Sequence, residues 1–196
     1  MSQSAIIAEV VWCICLVIYL VIRIPPLGRA RRESVRSSRR EAWDWIIRVI
    51  ATACLGIVPL LYIMTRFPRF ATYPFFPPFA FIGSAVFALA LWCIYRSLHD
   101  LGRGFSPSLE IRDQHPLVTA GIYRHVRHPM YLGFLLWAIA QVLLLPNWVV
   151  GGAGLLGWTV FFASRVGREE RMLLDEFGNQ YEEYMTRTYR VLPGLF

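Results

Sequence analysis

Two polar segments of this sequence carry side chains that could do chemistry. The first, residues 115–131, contains three His, two Arg and two Tyr at a point where the chain enters an apolar stretch. The second, residues 165–171, offers Arg165 and Glu169 four residues apart, a spacing that places both on one face of a helix. If the two segments meet, their donors, acceptor and aromatic faces form a binding site suited to a charged cofactor.

Each of these residues also has an ordinary structural explanation. His128 and Pro129 could simply start a helix, because proline is favoured in the first turn and the residue before it stays non-helical. Arg165 and Glu169 could form a surface pair that contributes little to stability. The arginines of residues 124–127 could anchor the chain to lipid headgroups. The site prediction therefore depends on the two segments being brought together.

The elements that must position these segments are apolar and long. The sequence is 56% hydrophobic and contains seven Trp. Its apolar blocks approach the roughly 20 helical residues needed to cross a hydrocarbon core of ~30 Å. Before the polar connector that leads to the first segment, we predict three membrane spans, over residues 6–22, 46–64 and 79–95. Pro25 and Pro26 are predicted to end the first helix, since proline removes a donor and clashes with the preceding turn.

A fourth apolar region lies between the two polar segments. It covers residues 130–163 and is interrupted at Pro146-Asn147, a turn dipeptide, so it predicts a helical hairpin. Each arm is about 16 residues long and short for a full crossing. Whether the hairpin spans the membrane or stays within the bundle, its two ends face the same side. The hairpin is therefore expected to bring the two polar segments together.

The predicted fold class is all-α, a polytopic integral membrane bundle with about five transmembrane helices. Residues 1–95 form an N-terminal part with three spans and an Arg-rich connector. Residues 96–196 form the part that carries the site, with an irregular connector, the hairpin and an amphipathic tail. Residues 66–78 hold four Pro and are predicted to be irregular.

The positive charge predicts the orientation of the bundle. The chain has twenty Arg and no Lys, and six of the Arg lie in residues 29–40. The positive-inside rule then places this connector, the connector before the hairpin and the tail in the cytoplasm. The protein is expected to be multi-pass, with its cofactor site on the cytoplasmic face, and to lie in the plasma (inner) membrane if its host is prokaryotic. Two charged residues inside predicted spans, Glu9 and Arg48, receive no role.

Several classes of function are not indicated. The arginines flank the spans and are not interleaved with aromatic residues as on a nucleic-acid platform, so no nucleic-acid partner is expected. Four Cys lie within apolar blocks without the spacing that zinc sites or disulfide frameworks use, so no metal is expected. A membrane lipid environment is the expected partner.

The stretch from Leu101 to Pro193, half of the chain, contains several specific motifs. They are His115-Pro-Leu-Val118, Gly121-Ile-Tyr123-Arg124, Arg127-His-Pro-Met-Tyr-Leu-Gly133, Glu169-Glu170 and Phe177-Gly-Asn-Gln-Tyr-Glu-Glu-Tyr184, leading to Arg190. In this combination and order they resemble the isoprenylcysteine carboxyl methyltransferase family.

The resemblance implies a methyl transfer from S-adenosylmethionine, leaving S-adenosylhomocysteine, to the carboxylate of a lipophilic, possibly prenylated acceptor. Arg165 falls at the family's acceptor-binding arginine. Ser108 lies where the family's pattern places a further cofactor contact, at a position whose side chain varies. The other residues implied to bind the cofactor are His115, Pro116, Leu117, Val118, Tyr123, His128, Pro129, Met130, Tyr131 and Glu169.

Other functions share parts of this pattern. By resemblance, the Arg-His-Pro-x-Tyr box also occurs in phospholipid N-methyltransferases, membrane thiol methyltransferases and some sterol reductases that use a nicotinamide cofactor. The chain is short for such a reductase, and Arg165 favours an acidic acceptor over an amine, because an amine would need a group to take up its proton. A non-catalytic membrane transport or assembly protein, in which His and Arg are only topology signals, is the alternative of a different class.

Overall fold

The structure is a computed structural model that describes residues 2–30, 35–38, 42–102, 110–112, 117–192 and 194. These residues form seven α-helices. Long apolar blocks become helices because a helix satisfies every backbone donor and acceptor internally, which hydrocarbon surroundings require. The helices are α1 (Gln3–Ala30), α2 (Ala42–Thr52), α3 (Val58–Thr65), α4 (Pro78–Leu101), α5 (Pro129–Leu144), α6 (Trp148–Phe177) and α7 (Asn179–Arg187).

In the part of the chain that the structure describes, four stretches are long and apolar enough to cross a membrane. They are Gln3–Ile24, Trp43–Thr65, Pro78–Leu101 and Trp148–Phe177, and the shorter apolar helix α5 accompanies them. The predicted all-α, polytopic membrane bundle is therefore confirmed. Between α2 and α3 the chain stays helical through a π-helical turn, Ala53–Ile57. This wider turn lies just before Pro59, whose ring would clash with a carbonyl of a regular helix.

Three helix boundaries differ from the sequence prediction. The first helix does not end at Pro25 and Pro26 but continues to Ala30, because a proline removes one hydrogen bond and can be absorbed within a long membrane helix. Helix α4 continues past residue 95 to Leu101, since the polar residues 96–101 include no Gly or Pro that would interrupt it. Helix α6 runs without a break through the second polar segment. Arg165 and Glu169 thus belong to the hairpin's second arm.

Two ion pairs mark the two ends of the bundle. Glu9, 3% exposed near the start of α1, pairs with Arg66 just after α3. Asp44, 2% exposed at the start of α2, accepts a hydrogen bond from Nη2 of Arg168 on α6 at 2.7 Å. The first pair gives Glu9 a structural partner, while Arg48 is half-buried in α2. The second pair lies at the end of the bundle where both polar segments meet.

The hairpin turn and its close packing position α6 against the rest of the bundle. Asn147 caps α6, because its Oδ1 accepts from the N–H groups of Val149 and Val150, both at 3.1 Å. A Cβ added at Gly157 would lie 2.5 Å from the Cβ of Cys54, so only glycine allows this approach of α6 to the π-helical turn.

A short antiparallel pair of strands, which the sequence analysis did not predict, joins two connectors. Strand β1 (Val35–Ser38) lies in the Arg-rich connector and strand β2 (Glu110–Arg112) in the connector before the hairpin. The register pairs residue 35 with 112, 37 with 111 and 38 with 110. Both connectors therefore lie at the same end of the bundle, as the predicted topology requires.

Candidate active site

The helical hairpin brings the two polar segments together. Tyr131, in the first turn of α5, donates its hydroxyl hydrogen to Oε2 of Glu169 on α6 at 2.9 Å. Trp158 makes a second contact between the two helices, because its indole N–H donates to the backbone carbonyl of Tyr131 at 2.9 Å. The juxtaposition predicted from the hairpin is thus present in the structure.

Local sequence fixes how α5 begins. His128 is not helical, with φ −125° and ψ 61°, and Pro129 occupies the first helical position. Proline is suited to that position because its missing N–H would have had no partner in the first turn. The His128 ring then packs edge-on against the Tyr131 ring, with centroids 5.5 Å apart. His128, Pro129 and Tyr131 are buried, and Met130 is half-buried.

Arg165 lies on α6 one turn before Glu169. Its side chain is buried, with the residue only 5% exposed, and its guanidinium carbon lies 5.2 Å from the centroid of the Phe161 ring. The Arg165 charge interacts with the phenol of Tyr131. Within the described residues, Nε of Arg165 has no hydrogen-bond partner. A buried guanidinium with an unsatisfied donor is costly unless an anion or another acceptor reaches it.

Glu170, the residue next to Glu169, binds three side chains from the two sides of the site. Its Oε1 accepts from Nε of Arg127 at 3.2 Å and from Nε of Arg190 at 3.1 Å, and Nη2 of Arg190 donates to Oε2 at 2.6 Å. Nε2 of His128 lies 3.4 Å from the same Oε1. Arg127 also donates to the carbonyl of Thr188. Glu170 therefore holds the chain on either side of the hairpin in one place.

The C-terminal segment runs beside the residues that precede α5. Val126 and Tyr189 form a parallel bridge. The N–H of Arg127 donates to the carbonyl of Tyr189 at 2.8 Å, and the N–H of His128 donates to the carbonyl of Arg190 at 3.0 Å. This backbone pairing fixes His128 against the C-terminal segment.

The sequence analysis gave no role in the site to Glu170, Arg127 or Arg190. A usable signal was present, because consecutive helical residues point about 100° apart. Of two adjacent glutamates, one can therefore face α5 while the other faces a different element. What the sequence could not provide was the element that Glu170 faces.

Tyr123 lies in a 3-10 turn, Gly121–Arg124, that packs against the end of α4. Its hydroxyl donates to the carbonyl of Ser97 at 3.4 Å, and its own carbonyl accepts from the hydroxyl of Tyr184 at 2.6 Å. Burial raises the pKa of both phenols, Tyr123 and Tyr184, so both remain neutral donors. Tyr123 thus connects α4 to the C-terminal tail.

Glycine is required at the start of that turn. Gly121 has φ +64°, and a Cβ there would fall 2.1 Å from Oδ2 of Asp100. The same Asp100 oxygen accepts the N–H of Ile122 at 2.8 Å. The turn that carries Tyr123 is therefore anchored directly to the end of α4.

Of the remaining predicted site residues, the structure describes two and leaves three outside the described ranges. Leu117 and Val118 are half-buried in the chain just before the 3-10 turn. Ser108, His115 and Pro116 lie outside the described residues. Within the described part of the chain, no three His, Cys, Asp or Glu side chains gather as a metal site would require. The four cysteines carry free thiols.

The fold and the site define a polytopic helical membrane protein whose polar site lies at one end of the bundle, between a helical hairpin and a C-terminal tail. Residues 81–175 match the family model described as the isoprenylcysteine carboxyl methyltransferase (ICMT) family. The resemblance seen in the motifs is thereby confirmed over this region of the chain.

Curated relatives and a solved structure agree with the family match. The protein-S-isoprenylcysteine O-methyltransferase of Dictyostelium discoideum is 39% identical over 87 residues, 44% of this chain and 36% of that protein. The enzyme of the same name from Schizosaccharomyces pombe is 32% identical over 130 residues, 65% of this chain and 55% of that protein. A structure of the eukaryotic intramembrane Ras methyltransferase ICMT has a TM-score of 0.56 at 25% identity, covering 80% of this chain and 54% of that chain. The matched part thus spans about half, or less, of each relative's own length.

Proposed function

We propose that the protein is a membrane methyltransferase that transfers a methyl group from S-adenosylmethionine to the carboxylate of a lipophilic acceptor such as a prenylated cysteine. The observation that carries this proposal is the pair of charges on α6: a buried Arg165 with an unsatisfied Nε, one turn from Glu169, which is held by Tyr131. The cation suits an anionic acceptor, and the glutamate suits a cofactor rich in donors. The names of the curated relatives support the same reaction.

The residues present fit such a cofactor. Oε2 of Glu169 accepts from Tyr131, and because each carboxylate oxygen has two lone pairs, the carboxylate can also accept from ribose hydroxyls or an ammonium group. The rings of His128 and Tyr131 provide aromatic faces beside it. When bound, S-adenosylmethionine supplies an electrophilic methyl group on a positively charged sulfur, and aromatic faces attract such a cation. His128, Tyr131 and Glu169 would hold it.

The acceptor needs no strong base. A carboxylic acid has a pKa near 4, so its carboxylate is already ionised at neutral pH and ready to attack. Arg165 would hold one carboxylate oxygen and orient the other toward the methyl group, while the rings of Phe161 and Phe162 exclude water. Orientation and dehydration are therefore the two contributions that this chain's residues make.

The same charges bear on the alternative acceptors. An amine acceptor would be cationic at neutral pH and would be repelled by Arg165. A thiol acceptor would need a base, and the group that faces Tyr131 is a glutamate already engaged in a hydrogen bond. Phospholipid N-methylation and thiol S-methylation are therefore the less favoured outcomes of the test below.

The proposal also assigns a role to each half of the chain and places the site on one side of the membrane. Residues 1–95 supply three spans, and residues 96–196 supply the cofactor and acceptor site. The distribution of arginine supports a cytoplasmic site, in the inner membrane if the host is prokaryotic. The pairing of β1 with β2 agrees with this, because it keeps both basic connectors at the end of the bundle that carries the site.

Titration calorimetry with methyl transfer tests the proposal. The detergent-purified protein is titrated with S-adenosylmethionine and S-adenosylhomocysteine, and then supplied with methyl-labelled cofactor and an N-acetylated, S-prenylated cysteine. We expect cofactor binding and a labelled product that releases methanol in base, because a methyl ester is base-labile whereas N-methyl and S-methyl groups are not. The supplied cysteine has no free amine or thiol, so a phospholipid amine and a lipophilic thiol are assayed separately, and a base-stable product formed only from one of these would replace the carboxyl acceptor by that group. A folded protein that binds neither cofactor nor acceptor would favour the non-catalytic alternative.

A further inference from the structure

A half-buried arginine of the first helix, Arg23, reaches the edge of the site. Arg23 lies near the end of the apolar part of α1, and its Nη1 donates to the sulfur of Met130 at 3.8 Å. Met130 belongs to the box at the start of α5, next to Tyr131. Arg23 is distant from the site in the sequence, and neither the motifs nor the family match includes it.

Arg23 and Arg165 lie close enough for their positive charges to repel each other. Arg23 contacts Met130, and Arg165 interacts with the neighbouring Tyr131, so the two cations flank one short stretch of α5. An anion that lies between two such cations is attracted by both of them. Within the described residues Nε of Arg165 has no hydrogen-bond partner, so this donor is available to an anionic ligand.

Aromatic rings form a continuous row from α1 to α6 next to the two cations. Tyr19, one turn before Arg23, has its ring centroid 6.1 Å from that of Phe134 on α5. Phe134 lies 6.4 Å from Phe161 on α6, and Phe161 is the ring under the Arg165 guanidinium. Helix α5 packs against both α1 and α6, whereas α1 and α6 have few described contacts with each other. The row of rings thus connects α1 to α6 across α5.

We propose that Arg23 and Arg165 together bind the carboxylate of the lipophilic acceptor, Arg23 from α1 and Arg165 from α6, with the apolar chain of the acceptor lying along the rings of Tyr19, Phe134 and Phe161. This inference rests on the proposed function and adds Arg23 to it as a second residue that binds the acceptor. Two guanidinium groups can hold both carboxylate oxygens, so the acceptor is fixed in orientation as well as in place. An acceptor without a negative charge would gain nothing from Arg23.

The test compares a carboxylate ligand with its neutral counterpart. An S-prenylated, N-acetylated cysteine and its carboxamide are titrated, in the presence of S-adenosylhomocysteine, onto the intact protein, Arg23→Gln and Arg23→Lys. We expect the intact protein to prefer the carboxylate, and Arg23→Gln to lose about tenfold of that preference, the loss of one charged hydrogen bond. Arg23→Lys should recover part of it, because the charge returns without the paired donors. Arg171→Gln, an exposed arginine on α6, is the control.

Several outcomes would overturn the inference. An unchanged preference in Arg23→Gln would remove Arg23 from the site, and equal losses for carboxylate and carboxamide would mean that Arg23 only supports the fold. Melting temperatures and S-adenosylhomocysteine affinity identify a misfolded variant, and Arg23→Lys keeps the test valid if Arg23→Gln does not fold. If the intact protein binds the carboxylate through Arg23 but forms no base-labile product, the proposed function fails and the binding site stands.

A lipid phosphate has the same anionic chemistry as a carboxylate, so the titrations are repeated in nanodiscs. Discs of phosphatidylcholine alone are compared with discs that also contain phosphatidylglycerol. Carboxylate binding that depends on Arg23 equally in both discs supports the acceptor. Loss of the carboxylate preference only in the presence of phosphatidylglycerol would assign the two arginines to a lipid headgroup and overturn the proposal.

Discussion

The hydroxyl of Tyr131 donates to Oε2 of Glu169 at 2.9 Å, and this bond joins the first turn of α5 to the second half of α6. It is the direct contact between the box of residues 127–133 and the glutamate that family resemblance assigns to the cofactor. Because Tyr131 is 6% exposed and Glu169 is half-exposed, the bond orients a carboxylate at the border between the buried bundle and its polar end.

Glu169→Gln is expected to weaken cofactor binding without unfolding the protein. The amide keeps an acceptor for Tyr131 but loses the negative charge, and a hydrogen bond to a charged group contributes about 1.5–3 kcal/mol. Calorimetry should therefore show a dissociation constant for S-adenosylmethionine that rises roughly 10- to 150-fold. Glu182→Gln, an exposed glutamate of α7, is the control and should bind as the intact protein does. An unchanged affinity in Glu169→Gln would remove Glu169 from the cofactor site.

Tyr131→Phe should have a smaller effect on the same affinity. The phenylalanine keeps the ring packing against His128 and removes only the bond that orients Glu169. This bond orients Glu169 without touching the cofactor, so only part of its free energy affects cofactor binding, about 0.5–1.5 kcal/mol, and the dissociation constant should rise about 2- to 10-fold. The double variant with Glu169→Gln should lose less binding free energy than the two single variants lose together, because the residues act through one contact. Full additivity would show that the phenol acts independently.

Arg165→Gln is expected to impair acceptor use far more than cofactor binding. Its Nε is buried and has no hydrogen-bond partner among the described residues, which suits an anionic ligand. Steady-state kinetics should show a KM for the prenylated acceptor that rises at least about tenfold, with cofactor affinity within about twofold. Arg165→Lys should not restore it, since an ammonium lacks the paired donors of a guanidinium. Equal losses for acceptor and cofactor would contradict the role given to Arg165.

Glu170→Gln should destabilise the fold more than it changes the chemistry. Side-chain exposure is 7% for Glu170 and 8% for Arg127, so the neutral amide would leave Arg127 buried without its counter-charge. Breaking a buried pair costs about 3–5 kcal/mol, and the partly exposed Arg190 moves the expectation to the lower value. Thermal unfolding in detergent should detect this loss. Glu183→Gln, whose pair with Arg187 is largely exposed, should leave the melting temperature nearly unchanged.

Two glycines of α6 provide a matched pair for testing helix packing. Gly157→Ala should destabilise the protein by about 1–3 kcal/mol, because the new Cβ would fall 2.5 Å from the Cβ of Cys54. Gly152→Ala meets nothing within 4 Å and should be neutral or stabilise by up to about 1 kcal/mol, since alanine favours helix. Melting temperatures in one detergent measure both. Equal destabilisation by the two would mean that helix flexibility, not close approach, is required here.

Much of the site could be predicted because its signals are local. The Pro146-Asn147 turn predicts a hairpin whose ends return to one side, and a four-residue spacing predicts that Arg165 and Glu169 share a helix face. The apolar blocks predict the spans, since length and hydropathy alone decide whether a segment can cross a bilayer. Helix ends were less predictable. Pro25 and Pro26 did not stop α1, because neighbouring structure can compensate for the two hydrogen bonds that they remove.

The sequence by itself determined the class of protein: a membrane bundle with a polar site between a hairpin and a tail, and a family resemblance that names its residues. Only the tertiary structure decided which partner each charge has. Glu170 binds Arg127 and Arg190, and Arg23 approaches Arg165 from the first helix, through contacts between elements far apart in the chain. No local pattern encodes such contacts, because they depend on the packing of helices whose neighbours the sequence does not specify.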